Sequence, residues 1–128
     1  MTTRRRLDPP GPVTTLGLLV RATHANYHNT LFGGEALKLM DEAAAVAGSR
    51  YVRGAIVTAH VDAVDFTHPI PVGAFVEARA RVVAVGRSSL ELEVELWVEQ
   101  RRGGDPLLAT SGHFTLVAVD DHGRPRAL

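Results

Sequence analysis

The sequence contains no cysteine, which excludes a disulfide scaffold, a thiol nucleophile and a zinc site with thiolate ligands. Aromatic residues make up only 5% of the chain, so the core has to be built from Ala, Val and Leu. No apolar run approaches the roughly 18 residues that a membrane-spanning helix needs. The 14 basic and 14 acidic residues cancel, and without a net charge we expect neither nucleic acid nor a membrane as a partner.

The length and the composition are those of one soluble globular domain. With 128 residues, 45% of them hydrophobic and 22% charged, the chain is long enough for a single core. Residues 1–12 contain three arginines and three prolines, which predicts a disordered lead-in before a single domain at residues 13–128. Arg4, Arg5 and Arg6 are followed by a proline-rich stretch without the apolar segment of an export signal. We therefore expect a cytoplasmic protein.

The hydrophobic pattern predicts one helix among several strands. Residues 13–23 are typical of a first strand, residues 24–30 of a polar loop and residues 33–50 of a helix. After the helix the apolar residues recur at every second position, which predicts four long strands: residues 56–66, 74–85, 90–100 and 107–119. This order indicates an α+β domain with an antiparallel sheet. Because one helix covers only part of so wide a sheet, the rest needs solvent or a second subunit.

Two of the predicted elements have a well-defined apolar face. In the helix, small residues and one methionine form a single stripe at helical spacing: Ala36, Met40, Ala43, Ala44 and Ala47. Small residues let a helix approach a sheet closely, as if the sheet curled around it. In the strand at residues 90–100 the leucines and valines alternate with glutamates, which predicts a half-buried antiparallel strand whose other face carries Glu91, Glu93, Glu95 and Glu99.

Asp41 is the first candidate catalytic residue. It lies four residues after Leu37, at the margin of the apolar stripe, whereas the neighbouring Glu42 lies on the solvent side. A carboxylate beside apolar packing is costly to desolvate unless something compensates, and such acids serve as general bases or nucleophiles. The alternative interpretation is that Asp41 is an ordinary exposed acid.

Gly33 and Gly34 lie at the start of the same helix. Two glycines leave backbone N–H groups uncovered at the positive end of the helix dipole, which suits a carbonyl oxygen that gains negative charge in a transition state. The alternative is a tight turn without a further role. Asp41 follows about 11–12 Å further along the helix axis, so an acyl group lying along the helix can touch both.

The loop ahead of the glycines adds one polar candidate. Asn26 offers a side-chain amide that can hold a carbonyl group or orient a water molecule. His24 and His28 are spaced like metal ligands on a helix, but this stretch does not have a helical pattern and a third ligand is not apparent. We therefore expect no metal site.

Together these residues resemble the hotdog-fold acyl-CoA thioesterases, above all the bacterial short- and medium-chain and the brain-type acyl-CoA hydrolases. The resemblance begins with Asn-Tyr-His-Asn-Thr-Leu-Phe-Gly-Gly at residues 26–34 and Leu-Met-Asp-Glu-Ala-Ala at residues 39–44. Later stretches follow in the family's order, at residues 57–66, 69–73, 86–89 and 117–126. The resemblance thus covers most of the chain, and its pieces are specific in combination.

The resemblance implies a hotdog fold, in which a curved antiparallel sheet of five or six strands wraps around a long central helix. It implies a homo-oligomer with a dimer as the smallest unit, joined edge to edge through the sheets, with active sites between the subunits. Further assembly into tetramers or hexamers is common in the family. The substrate implied is a small-molecule acyl-CoA, and no cofactor is expected apart from the coenzyme A that the substrate carries.

The resemblance also implies roles for single residues. Asp41 corresponds to the family's catalytic acid, and Asn26 to the partner that the other subunit supplies. The amides of Gly33 and Gly34 correspond to the group that polarises the thioester carbonyl. Positions that line the coenzyme A channel in the family correspond to Thr58, Gly86, Arg87, Ser88 and Ser89.

One departure from the family concerns Asn29, where relatives usually have Gly. Because Asn is the residue that best tolerates left-handed backbone after Gly, we expect the loop to keep its form.

The expected activity is hydrolysis of the acyl-CoA thioester, with Asp41 either as a general base on water or as a nucleophile that forms an anhydride. Two alternatives exist within the fold. A hydratase needs a motif similar to His-Phe-Pro-Gly, which the sequence lacks. A non-catalytic acyl-CoA-binding or sensor module usually accompanies a second domain.

Overall fold

The computed structural model describes residues 4–100 and 103–128. It contains one long helix, α1 (Gly33–Tyr51), and a short 3₁₀ helix at Ala22–His24. Its strands are β1 (Arg5–Arg6), β2 (Thr14–Leu19), β3 (Ile56–Phe66), β4 (Phe75–Val85), β5 (Ser89–Val98) and β6 (Leu107–Ala118). The predicted helix and the four long strands are confirmed. In the described ranges no helix combines the length and the apolar character needed to cross a membrane.

The six strands form one antiparallel sheet. Its order is β1-β4-β5-β6-β3, and β2 pairs with β4 beside β1. The predicted first strand at residues 13–23 is shorter than expected, because β2 ends at Leu19 and the chain then turns into the 3₁₀ helix. The strand pattern misses this turn, since Leu and Val continue up to Val20.

The N-terminal segment corrects one expectation. Arg5–Arg6 pairs with the end of β4, and the N–H groups of Leu7 and Gly11 donate to carbonyl oxygens of the same strand at 2.8 and 2.9 Å. The expected disordered lead-in over residues 1–12 is therefore wrong where these contacts occur, and residues 1–3 lie outside the described residues. Arg- and Pro-rich composition suggested disorder, but backbone groups before Pro9, and that of Gly11 between two prolines, find partners along β4.

Helix α1 packs its small residues closely against the sheet. The five residues of the predicted stripe are all 5% exposed or less, and they share one core with leucines and valines of β5. At Gly48 an added Cβ would lie 2.6 Å from Cδ1 of Ile56 and 3.0 Å from Cδ2 of Leu116. A larger residue at Gly48 would displace these two side-chain ends, in agreement with the close approach inferred from the stripe.

Strand β3 forms an open edge of the sheet. It pairs with β6 on one side, and most of its residues are exposed, including Val57, Val61 and Phe66. Its register against β6 shifts twice, first between Thr58 and His60 and again between Asp62 and Asp65. A long exposed edge with apolar side chains is typical of a strand that joins a second sheet.

Candidate active site

Asp41 lies on the third turn of α1, beside β3. The Thr58 hydroxyl donates a hydrogen bond of 2.6 Å to Oδ1 of Asp41, a length typical of a hydroxyl bonded to a charged carboxylate. Asp41 is half-buried and Thr58 is exposed. In the described part of the chain, no Lys, Arg or His side chain forms an ion pair with Asp41. The carboxylate therefore has one hydroxyl partner and no neutralising cation.

The amino end of α1 presents N–H groups without acceptors. Phe32 is the N-cap residue, and its side chain accepts no hydrogen bond. The N–H of Ala36 makes the first bond of the helix, to the carbonyl oxygen of Phe32 at 2.9 Å. Within residues 4–100 and 103–128 the N–H groups of Gly33 and Gly34 thus have no acceptor. An added Cβ at Gly34 would lie 2.8 Å from the Phe32 ring, so that ring packs over the glycine.

Asn26 holds together the loop in front of the helix. Its Oδ1 accepts the N–H groups of His28 and Thr30 at 2.9 and 3.1 Å, and its Nδ2 donates to Oγ1 of Thr30 at 2.9 Å. Asn29 lies in the same turn with a φ of 62°, the left-handed conformation that Asn tolerates. The turn therefore forms with Asn at its left-handed position.

The structure places Thr58 in contact with Asp41, whereas the Asn26 side chain lies in the loop in front of the helix. The side-chain hydrogen bonds of Asn26 all stay within its own loop. Asp41 is separated from Gly33 by about 12 Å along the helix axis. A carboxylate cannot reach over that distance to a carbonyl carbon held at the Gly33 amide. Within one chain, the acid and the amides therefore cannot act on the same carbonyl group.

The turn between β4 and β5 lies at the same end of the sheet as Thr58. The N–H of Gly86 donates to the carbonyl oxygen of Ser89 at 2.8 Å, and Ser88 accepts an N–H from the end of β6. Thr58 pairs with that end of β6 from the other side. Arg87 is exposed at this turn and forms no ion pair with the described residues.

A cavity of about 340 Å³ opens beside the amino end of α1. It is lined by the helix start and by the ends of two strands, among others by Gly33, Ala36, Phe66, Ile70 and Thr110. The sequence pattern indicated neither Phe66 nor Thr110 as a site residue. A signal was present for Thr110, because it is a polar residue at an inward position of β6, on the same face as the apolar Phe114 and Leu116.

A second polar cluster lies on the outer face of the sheet. Glu91 is only 6% exposed, and its Oε1 lies 2.7 Å from Nη1 of Arg4 and 3.0 Å from Nε2 of His113. The other ring nitrogen of His113 lies 2.9 Å from Oδ1 of Asp62. The predicted alternation of β5 is confirmed, but Glu91 is buried on the face expected to be polar, since Arg4 and His113 cover it.

The histidines ahead of the helix are engaged in local contacts. Nδ1 of His24 accepts the N–H of Arg21 at 3.0 Å, and the rings of Tyr27 and His28 lie with their centroids 4.0 Å apart. Across the ranges that the structure describes, no three His, Asp or Glu side chains are arranged to hold a metal ion.

Comparison with known proteins gives the family. The model of the thioesterase superfamily matches residues 28–104, more than half of the chain. The acyl-CoA thioester hydrolase YciA of Escherichia coli is 34% identical over 116 residues, which cover 88% of either chain. An acyl-CoA hydrolase of Staphylococcus aureus, solved with butyryl-CoA, CoA and CoA disulfide, has a TM-score of 0.85 at 32% identity, over 90% of this chain and 70% of that one.

Further solved structures agree. Variants of the same hydrolase, in which an asparagine, an aspartate or a threonine is replaced by alanine, have TM-scores of 0.85, 0.84 and 0.84. A hexameric thioesterase of Yersinia pestis has a TM-score of 0.84 at 35% identity, over 92% of this chain and 95% of that one. The resemblance to the acyl-CoA thioesterases is confirmed: the chain belongs to the thioesterase superfamily and has its hotdog fold.

Proposed function

We propose that this protein hydrolyses the thioester of acyl-CoA to free CoA and a carboxylic acid. The observation that carries the proposal is the carboxylate of Asp41, half-buried beside the open edge of the sheet and held by the Thr58 hydroxyl without a cation. Such a carboxylate can accept a proton from water or attack a carbon atom itself. The similarity to YciA and to the Staphylococcus aureus hydrolase supports the substrate class.

The variants of the Staphylococcus aureus hydrolase support the choice of residues. Along that chain, the replaced asparagine, aspartate and threonine are separated by the same numbers of residues as Asn26, Asp41 and Thr58 are here. We therefore assign Asp41 as the catalytic acid, Asn26 as a group that contacts the substrate or the attacking water, and Thr58 as the residue that positions Asp41.

Hydrolysis of the thioester by these residues can follow two routes, and neither needs a reactant other than water. The oxygen of a water molecule attacks the carbonyl carbon while Asp41 takes its proton, the C–S bond breaks, and the proton passes to the sulfur of CoA. In the second route Asp41 attacks the carbon directly, the C–S bond breaks and CoA leaves as a thiolate. Water then hydrolyses the mixed anhydride, which regenerates the Asp41 carboxylate, and a proton from that water passes to the CoA sulfur. In both routes the N–H groups of Gly33 and Gly34 stabilise the charge on the carbonyl oxygen, and one such donor contributes roughly 3–4 kcal/mol.

The separation between acid and amides requires two copies of the chain. Because Asp41 lies about 12 Å from Gly33 along the helix, the acid of one copy acts on a carbonyl held at the helix start of the other. Asn26 belongs to that second copy, and the N–H of its amide that is not bonded to Thr30 remains for substrate or water. The exposed edge strand β3, with Val57 and Val61, is the surface through which two sheets join. The hexameric relative in Yersinia pestis supports further assembly of such dimers.

Coenzyme A extends toward the turn between β4 and β5. Gly86 and the two serines of the turn have no bulky side chain that would block an extended chain, and the Arg87 guanidinium, which forms no ion pair with the described residues, can pair with a phosphate group of CoA. Thr58 lies at the same end of the sheet, so we assign the turn and the acid to one site.

Release of free CoA tests the proposed function. The purified protein is incubated with acyl-CoAs of two to sixteen carbons, and the thiol is measured over time beside CoA binding by calorimetry. We expect thiol release that depends on protein concentration, from an oligomer with at least two copies. Binding of CoA without thiol release would make the protein an acyl-CoA-binding module. Full activity of a stable monomer would contradict the site between two copies.

A further inference from the structure

Thr110 contributes a hydroxyl group to the wall of the cavity beside the amino end of α1. It is 1% exposed, and it lines the cavity together with Gly33, whose N–H has no acceptor among the described residues. Within the described ranges the Thr110 side chain makes no hydrogen bond. The described residues include no fully enclosed side-chain nitrogen or oxygen that lacks a partner, so the Thr110 oxygen is open to the cavity and takes its partner from what the cavity holds.

The other polar groups around the cavity are engaged or lie at its mouth. The Thr30 hydroxyl is bonded to the side chain of Asn26, and His68 is exposed. Phe66, which is 55% exposed, and the buried Ile70 supply apolar wall. Most of the cavity wall is therefore apolar, and Thr110 carries the one hydroxyl of the wall that has no hydrogen-bond partner among the described residues. At about 340 Å³ the cavity lies at the lower end of the range for ligand sites.

The cavity lies where the acyl chain of a thioester bound at the start of α1 would extend. Gly33 belongs both to its wall and to the N–H groups that face the thioester carbonyl in the proposed function. An acyl chain whose carbonyl oxygen lies at these amides therefore extends into the cavity with its next carbon atoms. A hydrocarbon chain would leave the Thr110 hydroxyl without a partner, whereas an oxygen substituent on the chain would satisfy it.

We propose that the cavity selects short acyl groups that carry a hydroxyl or oxo oxygen, and that Thr110 is the residue that recognises this oxygen. The inference rests on the proposed thioesterase function and adds the class of acyl group. Thr110 can donate to an oxo group, and it can donate to or accept from a hydroxyl group. Because a site built around a polar group rejects analogues that leave it unpaired, the unsubstituted acyl group is the poorer substrate.

The test compares butyryl-CoA with the two enantiomers of 3-hydroxybutyryl-CoA, each measured separately. For the wild-type protein we expect kcat/KM to be about tenfold higher with one enantiomer than with butyryl-CoA, the factor typical of one hydrogen bond between neutral groups. Thr110→Val keeps the shape of the side chain and removes the hydroxyl. It should abolish this preference while activity on butyryl-CoA stays within about threefold. Thr110→Ser keeps the hydroxyl and should keep the preference.

The outcomes separate this inference from the function on which it rests. Thiol release from none of the substrates overturns the thioesterase function itself. Equal activity on butyryl-CoA and both hydroxy substrates, or a preference that survives in Thr110→Val, overturns the role of Thr110. If Thr110→Val does not fold, as thermal unfolding would show, Thr110→Ala, which also lacks the hydroxyl, takes its place: loss of the preference supports the role of Thr110, and its survival overturns that role.

Discussion

Two acidic side chains of this protein lie in opposite surroundings. Glu91, on the outer face of the sheet, is buried, and one of its oxygens lies within 3.0 Å of both Arg4 and His113. Asp41, beside the open edge, is half-buried and has the Thr58 hydroxyl as its hydrogen-bond partner. Both belong to the same small sheet-and-helix unit, but among the described residues only Glu91 is paired with a cation, Arg4.

The difference separates a structural carboxylate from a reactive one. The Glu91 oxygen that contacts Arg4 and His113 is occupied by contacts within the fold. A carboxylate held in place by one neutral hydroxyl keeps its remaining oxygen free for chemistry. The hydrogen-bond and ion-pair partners of the two acids therefore distinguish the one proposed for catalysis, and substitutions of Asp41, Glu91 and Thr58 test that distinction.

The largest effect is expected for Asp41→Asn. This change removes the base but keeps the size of the side chain, so turnover of acyl-CoA should fall by about 10²–10⁴-fold. The thermal midpoint and the affinity for CoA should stay near those of the wild type. The matched control is Glu42→Gln, the neighbouring exposed acid, which should retain full activity. Near-normal turnover of Asp41→Asn would remove this residue from the mechanism.

Glu91→Gln should show the reverse pattern. The substitution takes the charge away between Arg4 and His113, and we expect the free energy of unfolding in urea to fall by roughly 1–3 kcal/mol with kcat unchanged. Glu93→Gln is the control, because its ion pairs with Arg6 and Arg81 are long, at 3.8 and 3.9 Å, and exposed. A loss of turnover in Glu91→Gln without a loss of stability would contradict the structural role of the cluster.

Thr58→Val tests the single partner of Asp41. Without the hydroxyl the carboxylate is no longer held, and kcat should fall about tenfold while KM changes little. Thr58→Ser keeps a hydroxyl and should recover most of kcat. An equal loss in both variants would show that the methyl group, and not the hydrogen bond, is what matters.

The smallest effect is expected at Asn29, whose role lies in the backbone. Asn29 has a φ of 62°. Asn29→Ala should lower the free energy of unfolding by about 1 kcal/mol. This is the lower end of the cost of left-handed backbone, because Asn, like Ala, already bears a Cβ. Asn29→Gly should be as stable as the wild type or slightly more so. Urea unfolding measures both, and a stability of Asn29→Ala equal to that of Asn29→Gly would argue against strain at this turn.

Much of the fold was predictable because its signals are local. The helix and β3 lie close to the predicted bounds, and the stripe on α1 is buried as the helical spacing required. The N-terminal segment was not predictable, since its partner is a strand more than 70 residues away, Arg5 facing Val85. The burial of Glu91 followed from the same contact, because Arg4 reaches it from that segment.

The candidate site, too, has residues that the sequence predicted and contacts that only the structure shows. Asp41 and the two glycines were found from their places on one helix, where the spacing along the chain fixes the spacing in space. That Thr58 holds Asp41 was not predictable, although the resemblance had marked Thr58 for another role, because the contact depends on how β3 lies against α1. The role proposed for Thr110 likewise depends on a cavity formed by elements from distant parts of the chain.

By itself, the amino-acid sequence determined the order of the elements, the face that each turns to the core and the acid on the helix, because helix and strand periods follow from backbone geometry. Only the tertiary structure decided which polar groups meet. The Asp41–Thr58 contact joins residues 17 apart and the Glu91–Arg4 contact residues 87 apart, and both depend on strand register and packing, which no local pattern specifies.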